Sequence, residues 1–154
     1  MTVDEAMSRA VELAEEAWES GDVPIGALIL SEEGDIVGEG KNVREALFDP
    51  VGHAEIIALR DAGSQRKSWR LLNCTLVTTL EPCPMCLGAA VNARVSRIVY
   101  GAKDPKGGAL SLGYTMGTDG KLNHTLEVEY RFNERCSTLL SEFFKQRRKK
   151  EIKL

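Results

Sequence analysis

No apolar run in this 154-residue chain approaches the length a bilayer demands: the longest, such as Ile56 to Leu59, fall far below the roughly 20 residues of a spanning helix. The acidic, amphipathic N-terminus resembles no secretory leader, and the expectation is a cytoplasmic protein. Cysteine is scarce, and Cys74, Cys83, Cys86 and Cys136 make no disulfide framework in a chain of this length. Internal repeats and Ser/Pro-rich linkers are missing, which points to a single domain over residues 1–154, with 43% hydrophobic residues to fill a core. Overall positive charge is missing too. A net charge of −3 is the wrong sign for a protein that would hold phosphates by its field as a whole.

What is present is concentrated in four side chains. His53-Ala54-Glu55 is followed by Pro82-Cys83-Pro84-Met85-Cys86, and a His-x-Glu with a later Pro-Cys-x-x-Cys is the established signature of zinc deaminases. One imidazole and two thiolates give three protein ligands where a structural zinc site uses four, so the fourth position is open to water. Bound zinc brings the pKa of that water to about 7, and a nearby carboxylate, Glu55, can carry its proton to the departing amine. Cys83 and Cys86 are three apart and so share one helix face. Pro84 suits the first turn of a helix, whose N-terminal dipoles favour thiolates.

Either motif alone has a plain explanation: His-x-Glu as a surface accident, Cys-x-x-Cys as a structural half-site or a redox pair. A four-ligand structural site would have to recruit Cys74, which opens an apolar strand, or Cys136, which sits in an amphipathic helix. Each reads as a small buried hydrophobe. Glu55 is a poor fourth ligand, since i and i+2 on a helix point apart.

Helix and strand alternate along the chain. Thr2 and Glu5 form a capping box, and Met7, Ala10, Val11, Ala14, Ala17 and Trp18 keep helical spacing until Gly21. Ile25 to Ser31 and Ile36 to Asn42 flank the turn Glu32-Glu33-Gly34-Asp35 as a hairpin. A second helix begins at His53 and ends near Gly63. Cys74 to Leu80 is a buried strand leading into a helix over Pro84 to Arg94, and Arg97 to Ala102 is the next strand. Gly107 to Gly120 is irregular, Thr125 to Tyr130 alternates as a strand, and Asn133 caps a long last helix. The sum is a three-layer α/β domain around a central sheet.

Several segments then resemble the bacterial tRNA-specific adenosine deaminases: Val23-Pro24-Ile25-Gly26-Ala27, Asn42, Asp49-Pro50-x-x-His53-Ala54-Glu55, Leu80-Glu81-Pro82-Cys83-x-Met85-Cys86 and Asp104-Pro105-Lys106-Gly107-Gly108. The resemblance continues through Leu122-Asn123-His124 to Leu139-Leu140-Ser141-x-Phe143-Phe144 and Arg147-Arg148. It implies an α/β/α cytidine deaminase-like fold with a mixed five-stranded sheet, one zinc per subunit, a homodimer, and adenosine-to-inosine conversion at the wobble position of a tRNA anticodon. His53, Cys83 and Cys86 become the zinc ligands and Glu55 the proton shuttle, with N1 of adenine protonated as activated water attacks C6. Asn42, Ile25, Ala54, Pro82, Asp104, Lys106, Phe144, Arg147 and Arg148 become substrate contacts. Asn42 also reads, without the family, as a strand-end turn residue, and His124 as a loop contact.

Two places depart from the pattern. Gly52 precedes His53 where the family usually has alanine, and Leu110 to Gly117 replaces a more helical segment. The second bears on RNA docking more than on catalysis. Charge distribution bears on docking as well. Residues 1 to 22 hold seven acidic side chains against Arg9, a net of −6, so the remainder of a chain whose net charge is −3 carries +3. Lys145, Arg147, Arg148, Lys149, Lys150 and Lys153 crowd the C-terminus, and Arg66, Lys67 and Arg70 surround Trp69. Such clusters serve as a phosphate-binding strip or are simply solvated faces. A free-base or nucleoside deaminase of guanine or cytosine type remains an alternative, as does a non-catalytic zinc-containing RNA-binding subunit. The intact Glu55 speaks against the last.

Overall fold

Alternation along β1 (Gly26–Leu30) sets the architecture. Ala27 and Ile29 belong to one apolar cluster, Leu28 and Leu30 to another, so the strand is buried on both faces and must lie inside a covered sheet. Leu76 and Val77 of β3 (Thr75–Thr78) split the same way, as do Ile98 and Val99 of β4 (Arg97–Tyr100). The computed structural model describes residues 1–152, with side chains to Lys150; Lys153, counted above in the C-terminal cluster, lies outside the described residues.

The five strands run in the order β2-β1-β3-β4-β5, with β2 at Ile36–Lys41 and β5 at Glu127–Tyr130. β1 is antiparallel to both β2 and β3, whereas β3, β4 and β5 are mutually parallel, so the sheet is mixed. On one face lie α2 (Ala54–Arg66) and α3 (Pro84–Asn92), through Ala58, Leu59, Leu87 and Val91. On the other lie α1 (Val3–Glu19) and α4 (Glu134–Ile152), through Met7, Val11, Cys136 and Leu139. This is the expected three-layer α/β/α arrangement.

The helix ends follow their caps. Thr2 Oγ1 accepts from Glu5 N at 3.2 Å while Glu5 Oε1 accepts from Thr2 N at 3.1 Å, the reciprocal box read from the sequence. Asn133 Oδ1 caps α4 through Cys136 N at 3.1 Å. α2 differs: it does not end near Gly63 but runs to Arg66, and the left-handed residue that closes it is Lys67, at φ 53°. Gly63 is absorbed as a helix residue at the modest cost glycine incurs there. β4 and β5 are parallel, a pairing usually joined by a helix, but the described residues 101 to 126 contain only turns and bends, as expected of the glycine-rich segment.

The approach of α2 to β2 controls where α2 begins. A Cβ on Gly40 would overlap the Ala54 carbonyl and the Ala58 amide, and one on Gly38 would sit 2.6 Å from both Ala58 O and Ala62 N. Glycine on the strand and alanine on the helix together bring the two backbones close. Gly40→Ala should therefore overpack this seam and cost about 1–3 kcal/mol of stability, measured by urea denaturation, with no loss of helix content in the far ultraviolet.

Candidate active site

Two helix N-termini meet at one end of the sheet, beyond the last residue of β3. His53 is the N-cap residue of α2, with extended backbone at φ −72° and ψ 147°, and its ring makes no cap bond. Cys83 is the N-cap of α3, and Pro84 follows in the first turn, where its missing N–H costs nothing. Cys86 lies one turn further on and is fully buried. His53 Nδ1 is 3.5 Å from Cys83 Sγ and 3.4 Å from Cys86 Sγ, and ligand atoms from all three lie within 4.8 Å of one another.

The electrostatics match a cation site. The Cys83 thiol is pushed down to about 4, first because Cys86 donates to it, with His53 as a further donor. Cys86 is correspondingly pushed up, since it is the partner that keeps the proton. His53 is raised by its hydrogen bond to Cys83. Burial pushes the Glu55 carboxyl up to about 7. Glu55 is 4% exposed, and its Oε1 is the one buried side-chain oxygen without a partner among the described residues. An orphaned carboxylate oxygen beside an imidazole and two sulfurs calls for an explanation. A borderline-soft cation held by the His53 nitrogen and the two sulfurs would supply one. The donor set fits zinc.

His53, Glu55 and Cys83 line a cleft of about 1020 Å³. Ile25, Asn42, Asp104 and Lys106 line it as well, and α4 closes one side with Phe144, Arg147 and Arg148. Asn42 is 4% exposed; its Oδ1 accepts from Arg44 N at 3.2 Å and its own N–H donates to Ile25 O, so it both turns the strand end and faces the cleft. Phe143 packs edge-on against Trp18 at 5.4 Å and anchors α4 to α1, which leaves its neighbour Phe144 42% exposed toward the cleft. Ala54 and Pro82 are not among the lining residues. Ala54 is packed under Gly40, and Pro82 is buried with its carbonyl accepting from Ala109 N.

The other basic cluster lies elsewhere. Trp69, stacked by Arg70 at 4.2 Å and Arg94 at 5.5 Å, sits between the C-terminus of α2 and the start of β3, at the opposite end of both elements from His53 and Cys83. His124 reaches the Val95 carbonyl at 2.7 Å and touches no ligand residue. Arg44 and Lys103, which no sequence pattern had singled out, also line the cleft, as does Glu81, which the sequence offered only as part of the Leu80 to Cys86 resemblance and with no role of its own. The Arg44 loop is held by fully buried Asp22, whose carboxylate accepts from Glu45 N at 2.7 Å and Ala46 N at 3.1 Å.

Residues 1–102 match the cytidine and deoxycytidylate deaminase zinc-binding region, which includes His53, Glu55, Cys83 and Cys86. The tRNA-specific adenosine deaminase of Haemophilus influenzae is 46% identical over 96% of this chain and 87% of its own length. That of Bacillus subtilis is 41% identical over 98% and 94%. A solved structure from work on A-to-I editing by tRNA:A34 deaminases at the wobble position of transfer RNA superposes with a TM-score of 0.78 at 36% identity, covering 83% of this chain and 98% of the other.

The three donors should hold about one zinc per chain, read by metal analysis of the purified protein. Cys86→Ala should lower zinc affinity by about 100-fold or more, beyond the usual cost of losing an outer partner. Full zinc retention in that variant would remove Cys86 from the ligand set.

Proposed function

The chain belongs to the tRNA-specific adenosine deaminases of the cytidine and deoxycytidylate deaminase zinc-binding family, and on that premise we propose that it converts adenosine to inosine at the wobble position of a tRNA anticodon. It is a hydrolase acting on a C–N bond. One observation carries the finer reading: the basic and aromatic face of α4, with Phe144, Arg147 and Arg148, lines the same cleft as His53, Glu55 and Cys83. A free base would have no use for that cationic wall, whereas a flipped nucleotide brings its phosphates with it.

Held by His53, Cys83 and Cys86, zinc supplies Lewis-acid activation of a water molecule beside the substrate. Glu55 does the proton work. Its buried carboxylate takes a proton from the attacking water and passes it to N1 of adenine as the C6–O bond forms. The second proton of that water passes from the C6 hydroxyl by way of Glu55 to the amino group, the C6–N bond breaks as C6 becomes a carbonyl, and ammonia leaves inosine behind. Asn42, whose amide both donates and accepts, pairs with the purine edge, and Ile25 gives the base an apolar wall. Asp104 and Lys106 on the facing loop, with Arg147 and Arg148 on α4, hold the flanking backbone of an anticodon loop whose target base is splayed out. Ala54 and Pro82 contribute through the backbone beneath the ligands rather than by lining the cleft.

The same reading takes residues 1–154 as one deaminase domain acting in the cytoplasm as a homodimer. The homodimer rests on the family resemblance. Sedimentation equilibrium measures that assembly, and a monomer at micromolar concentration would remove it.

Inosine should form in an anticodon stem-loop bearing a wobble adenosine. Glu55→Ala should slow it by about 10²–10⁴-fold while zinc content is unchanged. No inosine from zinc-loaded wild type, with ammonia released from guanine instead, would favour a free-base deaminase. Replacing Arg147 and Arg148 together by alanine should weaken stem-loop binding and flatten its salt dependence by roughly one unit of log–log slope per charge. An unchanged slope would take α4 out of the RNA contact.

A further inference from the structure

Glu81 sits between the end of β3 and the Cys83 N-cap, and it is 2% exposed. A buried carboxylate needs either a cation or several hydrogen-bond donors, and no Lys or Arg bridges it among the described residues. Donors come instead from one loop. Glu81 Oε1 accepts from Asp104 N at 3.2 Å and from Ser111 Oγ at 2.7 Å, and Oε2 accepts from Ser111 N at 2.8 Å. One side chain thus holds the loop at two points. The backbone repeats the link on either side, through Glu81 N to Ala102 O and Ala109 N to Pro82 O, both 2.8 Å.

Gly108 lies under the carboxylate, and a Cβ there would overlap Glu81 Oε2. Gly108 is therefore the counterpart of Glu81, whereas its neighbour Gly107 leaves room for the Asp104 carboxylate. Between the two anchor points the loop folds on itself, with Asp104 Oδ1 accepting from Lys106 N and Gly107 N, and Lys103, Asp104, Lys106 and Gly107 form a wall of the cleft. We propose that Glu81 is a positioning residue that fixes this Lys103–Gly107 wall against the Cys83 end of the site, so that its loss impairs substrate binding and leaves the zinc ligands intact. The binding readout rests on the stem-loop function proposed above; the loop readout does not.

Hydrogen exchange of the full zinc-loaded chain tests it with Glu81→Gln, which sets an amide NH₂ against a backbone N–H in either orientation. Residues 103–112 should exchange about tenfold faster, as expected when hydrogen bonds to a charged acceptor are lost. Zinc content should stay at that of wild type, and KM for the stem-loop should rise about tenfold with kcat within about threefold. Ser111→Ala removes only the Oγ donor and should give a smaller change in the same two quantities, which carries the test if Glu81→Gln does not fold. Unchanged exchange over 103–112, loss of zinc, or a fall in kcat at constant KM would each overturn the role. If wild type makes no inosine, the functional proposal fails by itself and the exchange data still decide the place of Glu81.

Discussion

α2 can bring His53 and Glu55 to the end of the sheet where β3 leads into Cys83 only because β2 has no side chains where the helix lies on it. Gly38 and Gly40 lie beneath the Ala54, Ala58 and Ala62 turns, and the backbones approach as closely as the atoms permit. That seam fixes the height of the first turn of α2 over the ends of β1 and β3. α3 starts on the same face, directly after β3, with no linker beyond Thr79 to Cys83. The two N-termini are thereby held in fixed relation, and three ligand atoms fall within 4.8 Å without help from any loop.

Electrostatics follow from that meeting. Backbone dipoles at both helix starts favour negative charge where Cys83 and Cys86 lie. The same packing strips water from Glu55, so its carboxyl is kept near the point of exchange by desolvation rather than by a neighbouring cation. Two kinds of acceptor therefore coexist within one site: the Cys83 thiolate, stabilised by donation from Cys86 and His53, and a carboxyl destabilised by burial. A metal-assisted hydrolysis needs both.

Local chemistry was legible in the sequence because its determinants are local. The Cys83–Cys86 spacing, Pro84 in the first turn, the Thr2 box and the Asn133 cap each act within a few residues, and all are found as read. The α2 end was not, because a glycine in a helix costs only about 1 kcal/mol and packing on the sheet exceeds that. Asp22, and the contacts of a Glu81 that stood in the sequence only as part of the Leu80 to Cys86 resemblance, were invisible for another reason. Their partners are backbone amides more than twenty residues away, and a lone acidic residue looks like surface until the chain folds over it. The Arg66 to Arg70 cluster shows the converse: its charge stood out in the sequence, but only topology reveals that it lies at the far end from the cleft.

The helix-free passage from β4 to β5 divides the chain into two workshops. The His53, Cys83 and Cys86 donors and the buried Glu55 all lie before residue 87, within the stretch that matches the zinc-binding family model. The wall from Lys103 to Gly107 and the α4 face come after it, joined by turns with glycines at positive φ, Gly113, Gly117 and Gly120. No ligand position depends on the length of that passage. On the function proposed, recognition can thus drift by insertion, deletion or re-aiming of the last helix while the ligand set stays as it is, so one inherited chemistry can be fitted to new targets.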